Sequence, residues 1–99
     1  QNTQFVLADL KARGTAARVF VNDCIAKLLK GELDVATAAM AKYWVTELQS
    51  EVVDKCLQLH GGAGYINEYP IAKMYRDARI TRIFGGSNEV MKMLIARSM

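Results

Sequence analysis

The sequence predicts an all-α fold, an antiparallel bundle of two long and two shorter helices. A single proline in 99 residues, with abundant Ala, Leu, Lys, Met and Glu, favours helix throughout. Two long stretches repeat apolar residues at steps of three, four or seven, the spacing of one helix face. Glycines interrupt the pattern at Gly31, at Gly61-Gly62 with Gly64, and at Gly85-Gly86. They divide the chain into helical segments and leave no run long enough to build a sheet.

The first helix is expected from Asn2 to Lys30, with Val6, Leu10, Ala17, Val21, Cys24 and Leu28 along one face. Gly14 weakens its interior by about 1 kcal/mol relative to alanine. Gly31 tolerates the left-handed geometry that ends a helix, and Lys27 and Lys30 suit its carbonyl end. Asp34 can cap a second helix running to about His60, whose stripe is Ala38, Ala41, Val45, Leu48, Val52, Cys56 and Leu59. A connection this short makes the two helices antiparallel neighbours, each roughly 40 Å long. An irregular segment, Tyr65 to Tyr69, leads to Pro70, which fits the first turn of a third helix ending near Arg79. Ile80 to Gly86 reads as a connector with β-favouring Ile80, Thr81, Ile83 and Phe84. Ser87 or Asn88 then caps a last helix to about Arg97, with Glu89 placed favourably in its first turn. The apolar faces are generous for so small a chain, which points to a missing partner helix or subunit.

Composition removes several functional classes. Hydrophobic residues make up 52% of the chain, enough for a packed core. No apolar stretch approaches the roughly 20 residues of a membrane span. The 13 basic and 10 acidic residues are interleaved, not gathered into the basic stripe of a nucleic-acid binder. Cys24 and Cys56 lack CxxC spacing and read as free thiols. With His60 the only histidine, no Cys/His metal site is expected. The chain begins at Gln1, which suggests a piece of a longer protein.

Two stretches place glycine-rich backbone beside a helix end: Gln58-Leu59-His60-Gly61-Gly62-Ala63-Gly64, and Gly85-Gly86-Ser87-Asn88-Glu89. Glycine lets a ligand approach the main chain, and a helix N-terminus offers unpaired amides to an anionic or carbonyl oxygen. Each motif alone is ordinary turn chemistry. Together, within QLHGGAGYINEYPIAKMYRDARITRIFGGSNEVMKMLIAR, they closely resemble the end of acyl-CoA dehydrogenases, with the Q-x-x-GG-x-GY turn, the EYP helix start, RDAR and the loop opening the last helix. Gln1 with Phe5-Val6-Leu7-Ala8-Asp9, and Ala41-Lys42, extend the resemblance over the whole chain. The segment LDVATAAMAKYWVTELQ resembles the long-chain branch.

The resemblance implies a C-terminal four-helix bundle without its first helix, from a protein that also has an N-terminal helical domain and a β-domain. It implies FAD as cofactor, lying between the domains of one subunit and the bundle of a neighbour. Gln1, Gln58, Leu59, His60, Gly61 and Gly62 would meet the adenine-diphosphate stretch, and Ser87, Asn88 and Glu89 would contact FAD from the other side of the bundle. It further implies acyl-CoA as substrate, an electron-transfer flavoprotein as acceptor, a homotetramer paired through these bundles, and oxidation to 2-enoyl-CoA in fatty-acid metabolism. Bacterial cytoplasm and mitochondrial matrix are equally compatible.

In many such enzymes the glutamate that removes the proton next to the thioester carbonyl stands where this chain has Gly85. In the long-chain and isovaleryl branches the base comes from the first bundle helix, which would precede Gln1. Gly85 keeps its main-chain N–H and so retains the oxyanion role, with Gly86 beside it at the substrate. Glu68 is expected as a first-turn acid before Pro70, not a base. His60 is expected to be structural, Arg76 and Asp77 an ion-pair motif, Tyr43 and Trp44 interface packing, and Met91, Met93 and Met99 gap-fillers. The isolated chain is expected to be inactive. The rival reading is a helical module whose own role is self-association.

Overall fold

A computed structural model describes all of residues 1–99. Four α-helices are present: α1 (Asn2–Leu29), α2 (Val35–His60), α3 (Pro70–Arg79) and α4 (Asn88–Arg97). Short 3-10 helices follow α2 at Gly61–Tyr65 and α3 at Ile80–Arg82, and there is no strand. The expected segmentation holds, with two refinements. The first glycine cluster is itself helical, and the β-favouring connector begins with a 3-10 turn that carries the chain off α3.

Local chemistry sets the boundaries. At the end of α1, Glu32 N–H donates to Lys27 O at 2.8 Å and Gly31 N–H to Leu28 O at 3.0 Å, a Schellman closure with Gly31 at φ 71°. Asp34 then caps α2, accepting from Thr37 N–H at 3.1 Å and from the Thr37 hydroxyl at 2.6 Å. Pro70 occupies the first turn of α3, while Glu68 stands outside that helix, whose first turn holds no acid. Ser87, not Asn88, caps α4 through its hydroxyl, which accepts from Val90 N–H at 3.3 Å.

The α1–α2 hairpin has one register along its length. Arg13 on α1 forks onto Glu51 of α2, with Nη1–Oε1 at 2.9 Å, and Phe20 meets Trp44 edge-on at 6.3 Å between centroids. Both pairs are equidistant from Glu32 in the turn. The long dimension of the chain, 44 Å, is that of this hairpin.

Burial departs from the expected stripes. On α1, Leu10, Ala17 and Cys24 are buried, Val6 and Val21 are half-buried, and Leu28, in the last turn, is 64% exposed. On α2 only Leu48 of the expected stripe is buried; Ala36 and Ala39 are buried instead, and the rest are half-covered. The cause is that α2 is packed on several sides at once. α1, α3, α4 and both 3-10 helices all rest on it, so no single face is its inside. Met91 is half-buried, but Met93 and Met99 are exposed and fill no gap. Trp44 and Phe20 leave an apolar surface shared with Ala16, Met40 and Tyr43. Both cysteines are free thiols, and no helix is long and apolar enough to cross a membrane.

Two glycines make opposite predictions. A Cβ at Gly64 would lie 2.5 Å from Leu57 O, a backbone atom that cannot yield, whereas a Cβ at Gly14 meets nothing within 4 Å. Gly64→Ala is expected to cost about 1–3 kcal/mol of unfolding free energy, and Gly14→Ala to add up to about 1 kcal/mol. Denaturant titration of both variants checks the pair. A second expectation concerns pH. Hydrogen bonds from Arg13, then Lys55, hold the Glu51 carboxyl down to about 2 from its ordinary 4.5. A carboxyl whose folded pKa is depressed contributes stability that is full above the unfolded value and lost as pH falls through the folded one. The stability difference between the native chain and Glu51→Gln should therefore shrink as pH falls from 4.5 towards 2, and be flat above that window.

Candidate functional site

The second diglycine connects the end of the α3 segment to α4. Its backbone is fixed on the upstream side by Ile83 N–H and Phe84 N–H, both donating to Ile80 O, at 2.9 and 3.0 Å. Gly85 and Gly86 then take φ of 64° and 90°, left-handed values that an L side chain resists. At Gly86 a Cβ would also sit 2.7 Å from Met91 Cε, the tip of a flexible side chain that would have to shift; at Gly85 the space is open. The N–H groups of Gly85 and Gly86 donate to no group of the chain. Two unspent amides thus stand exposed before the N-terminus of α4, where the helix dipole adds positive potential. Ile83 and Phe84, both exposed, give the turn an apolar flank.

Beneath the turn lies a polar junction that the sequence did not reveal. Asn88 is only 1% exposed, the most enclosed side chain of the molecule. Its amide nitrogen donates to Thr46 Oγ1 at 2.9 Å, Glu47 Oε1 at 3.0 Å and Tyr43 O at 3.4 Å. Its oxygen accepts from Lys42 Nζ at 2.7 Å, and the same ammonium donates to Gly86 O at 2.8 Å. Glu47 is completed by Arg82 at 2.9 Å. Hydrogen bonds from Asn88 and then Arg82 lower the Glu47 pKa, so that it stays an acceptor. Lys92 of α4 lies 4.8 Å from the Tyr43 ring and ties the next turn of the helix to α2.

This junction changes the roles of several residues. Asn88 has no side-chain atom left for a ligand; whatever it offers to one comes from its main chain. The RDAR segment holds no ion pair: Arg76 donates to Asn67 Oδ1 at 2.9 Å, and neither Asp77 nor Arg79 has an ionic partner. Neighbouring residues on a helix point in different directions. The structural ion pair is Arg82–Glu47, one step beyond the motif. Lys42 and Thr46 lie one turn apart with Glu47 adjoining, a polar patch on a mostly apolar helix and the one signal that foreshadows the junction.

The first glycine cluster lies elsewhere. Gln58, His60, Gly61 and Gly62 are exposed and Leu59 half-buried, all at the C-terminal end of α2. The hairpin register brings exposed Gln1, which starts α1, to the same end. His60 Nδ1 lies 2.7 Å from Cys56 O and so donates to it, leaving Nε2 outward. Lys42, under the second turn, is 16 residues from Gln58, roughly 24 Å along α2. Gln1 and Gln58–Gly62 therefore form one cluster and Gly85–Glu89 a second, and the chain does not bring the two together. No three His, Cys, Asp or Glu side chains converge where one metal ion would reach them.

The whole chain, residues 1–99, matches the model of the C-terminal domain of acyl-CoA dehydrogenases. It is 54% identical over 97 residues to the mitochondrial long-chain specific acyl-CoA dehydrogenase of Rattus norvegicus, covering 98% of this chain and 23% of the relative. Its fold superposes on an acyl-CoA dehydrogenase from Geobacillus kaustophilus with a TM-score of 0.96 at 42% identity, over 99% of this chain and 26% of that one. Butyryl-CoA dehydrogenase from Megasphaera elsdenii gives 0.94 at 38% identity, over 99% and 26%. The chain thus spans about a quarter of the length of the relatives it matches.

The Asn88 junction predicts a large loss from a small truncation. Asn88→Ala strands the partners on Lys42, Thr46 and Glu47 in a closed site, and should lower stability by about 2–4 kcal/mol. Chemical denaturation of the two proteins measures it.

Proposed function

The chain belongs to the acyl-CoA dehydrogenase family as its C-terminal domain, and on that premise we propose that it serves an FAD-dependent enzyme that oxidises acyl-CoA thioesters, long-chain ones by preference, to 2-enoyl-CoA. The observation that carries the assignment is the pair of unspent amides on the left-handed turn at Gly85-Gly86. A thioester oxygen that gains negative charge as the neighbouring proton leaves is held by such donors, and they cost no reorganisation because the turn is already formed. The 54% identity to a long-chain enzyme supports the chain-length preference.

The two glycine clusters fit a flavin dinucleotide. Exposed Gly61 and Gly62 leave the main chain open at one end of α2, and the α4 N-terminus with Ser87 and Glu89 offers amides and a hydroxyl at the other. Bound there, FAD supplies the acceptor for hydride leaving the second carbon from the thioester. Gln1 and Gln58 to Gly62 hold its adenine-diphosphate part, and the roughly 24 Å between clusters favours an arrangement in which they serve the flavins of different subunits. Gly85 and Gly86 orient the thioester carbonyl. Gly85 has no carboxylate, so the proton is taken by an acid on a helix preceding Gln1.

That preceding helix has a place to go. The two buried polar atoms without a partner, Ser50 Oγ and Arg82 Nε, belong to residues lining a cleft of about 350 Å³ with Arg13, Glu51, Tyr75 and Arg79. An unpaired buried polar group is costly, and a helix seated in this cleft would add partners for its polar lining. Exposed Phe5, Val19, Leu29 and Tyr65 support association with further subunits, and an electron-transfer flavoprotein is the proposed acceptor. They also favour the second reading, a purely self-associating module.

The two readings separate in one experiment on the full-length protein. Anaerobic addition of a long-chain acyl-CoA should bleach the flavin absorbance; an oligomer with no flavin signal would leave only the module. Gly86→Ala, which strains the turn at φ 90° and displaces the Met91 tip, should lower kcat/KM on the order of 10- to 100-fold, while Gly85→Ala, at φ 64° with open space, should have the milder effect. Native activity in both variants would remove the turn from the chemistry.

A further inference from the structure

On the premise that the Gly85-Gly86 turn grips the thioester oxygen, we propose that Lys42 is a positioning residue that latches this turn into its donor geometry through the Gly86 carbonyl. Lys42 is the only side chain that bonds the main chain of the diglycine, at 2.8 Å from Gly86 O. Two consecutive glycines are the most pliable segment a chain can present, so amides on such a turn point in a fixed direction only if something outside the turn holds it. Upstream, Ile80 O fixes the peptides of Ile83 and Phe84. Downstream, Lys42 fixes the carbonyl of Gly86. The two free N–H groups lie between these anchors, and their direction is set when both ends are held.

Lys42 is suited to the task. An ammonium donating to a carbonyl makes a charge-assisted bond, stronger than a neutral one. It is itself held by the second bond to Asn88 Oδ1, and Asn88 is closed in by Thr46 and Glu47. Glu47 in turn takes Arg82, which stands at the upstream foot of the same turn. Both feet of the turn are therefore anchored to one helix, α2, over the short span Lys42–Glu47.

The test uses the full-length flavin-loaded enzyme and a long-chain 2-enoyl-CoA carrying carbon-13 at the thioester carbonyl, read by infrared difference spectroscopy. In the native enzyme the bound carbonyl should absorb at lower frequency than in water. In Lys42→Met at least half of that downshift should disappear, and kcat should fall on the order of 10- to 100-fold with KM changed less than about threefold, the signature of a contact that tightens in the transition state. Thr46→Val removes one bond to Asn88 but leaves Gly86 O latched, so it should lower the melting temperature and keep the native carbonyl frequency. Lys42→Gln, whose amide is too short to reach both oxygens, gives the same readout should the methionine variant not fold. A Lys42 variant with native frequency and native kcat overturns the latch while leaving the thioester assignment of the turn intact. A native enzyme with no downshift overturns that assignment, and the latch with it.

Discussion

Every other element of this chain rests on α2, while α1 makes no substantial contact with α3 or α4. A helix surrounded in this way cannot have one apolar face and one polar face. It needs a different surface for each neighbour, and the sequence of α2 provides them in turn: small Ala36 and Ala39 where α1 returns, Leu48 in the middle, Lys42-Thr46-Glu47 under α4, and Leu57 against the glycine turn. The consequence is a thin interior. Only 11 of 99 residues are buried, because α1 meets α2 but not α3 or α4, which leaves open grooves between them. A further long helix is the natural closure for such an arrangement.

The same spine sets where the two glycine turns lie. The antiparallel register delivers Gln1 and the first glycine cluster to one end of α2, and the polar junction delivers the second glycine turn to a point nearer the other. Neither turn supplies a charged side chain of its own. What they contribute is bare main chain, made accessible by glycine and oriented by its surroundings. Main-chain amides point in a fixed direction only when a scaffold holds them, and for the second turn that scaffold is the engaged Asn88 amide, the Lys42 ammonium and the Glu47–Arg82 pair. Buried Asn88 is tolerated because both of its side-chain polar atoms are bonded; remove it and its partners lose a bond in a closed site.

Electrostatics follows the same division. The Arg13–Glu51 pair with Lys55 lies on the partly exposed seam of the hairpin, where it fixes register more than it adds stability. The Arg82–Glu47 pair is more enclosed and is joined to Asn88, so its bonds specify one arrangement of α4 on α2. The sequence motif that suggested an ion pair, Arg76-Asp77, is a local pattern, whereas the pair that forms links residues 35 positions apart.

The helices and their limits were determined by the sequence itself, because capping and termination are decided within a few residues: the Gly31 closure, the Asp34 and Ser87 caps, and Pro70 at the start of α3 each need only near neighbours. The glycine turns and the absence of a carboxylate at Gly85 were equally plain. Which face of α2 is inside, that Asn88 is a sealed structural amide, and that Lys42 holds the Gly86 carbonyl were decided only in three dimensions. Those facts depend on contacts between residues far apart in sequence, more than 40 positions for the bonds of Lys42, and neither helical periodicity nor capping chemistry carries information over that range.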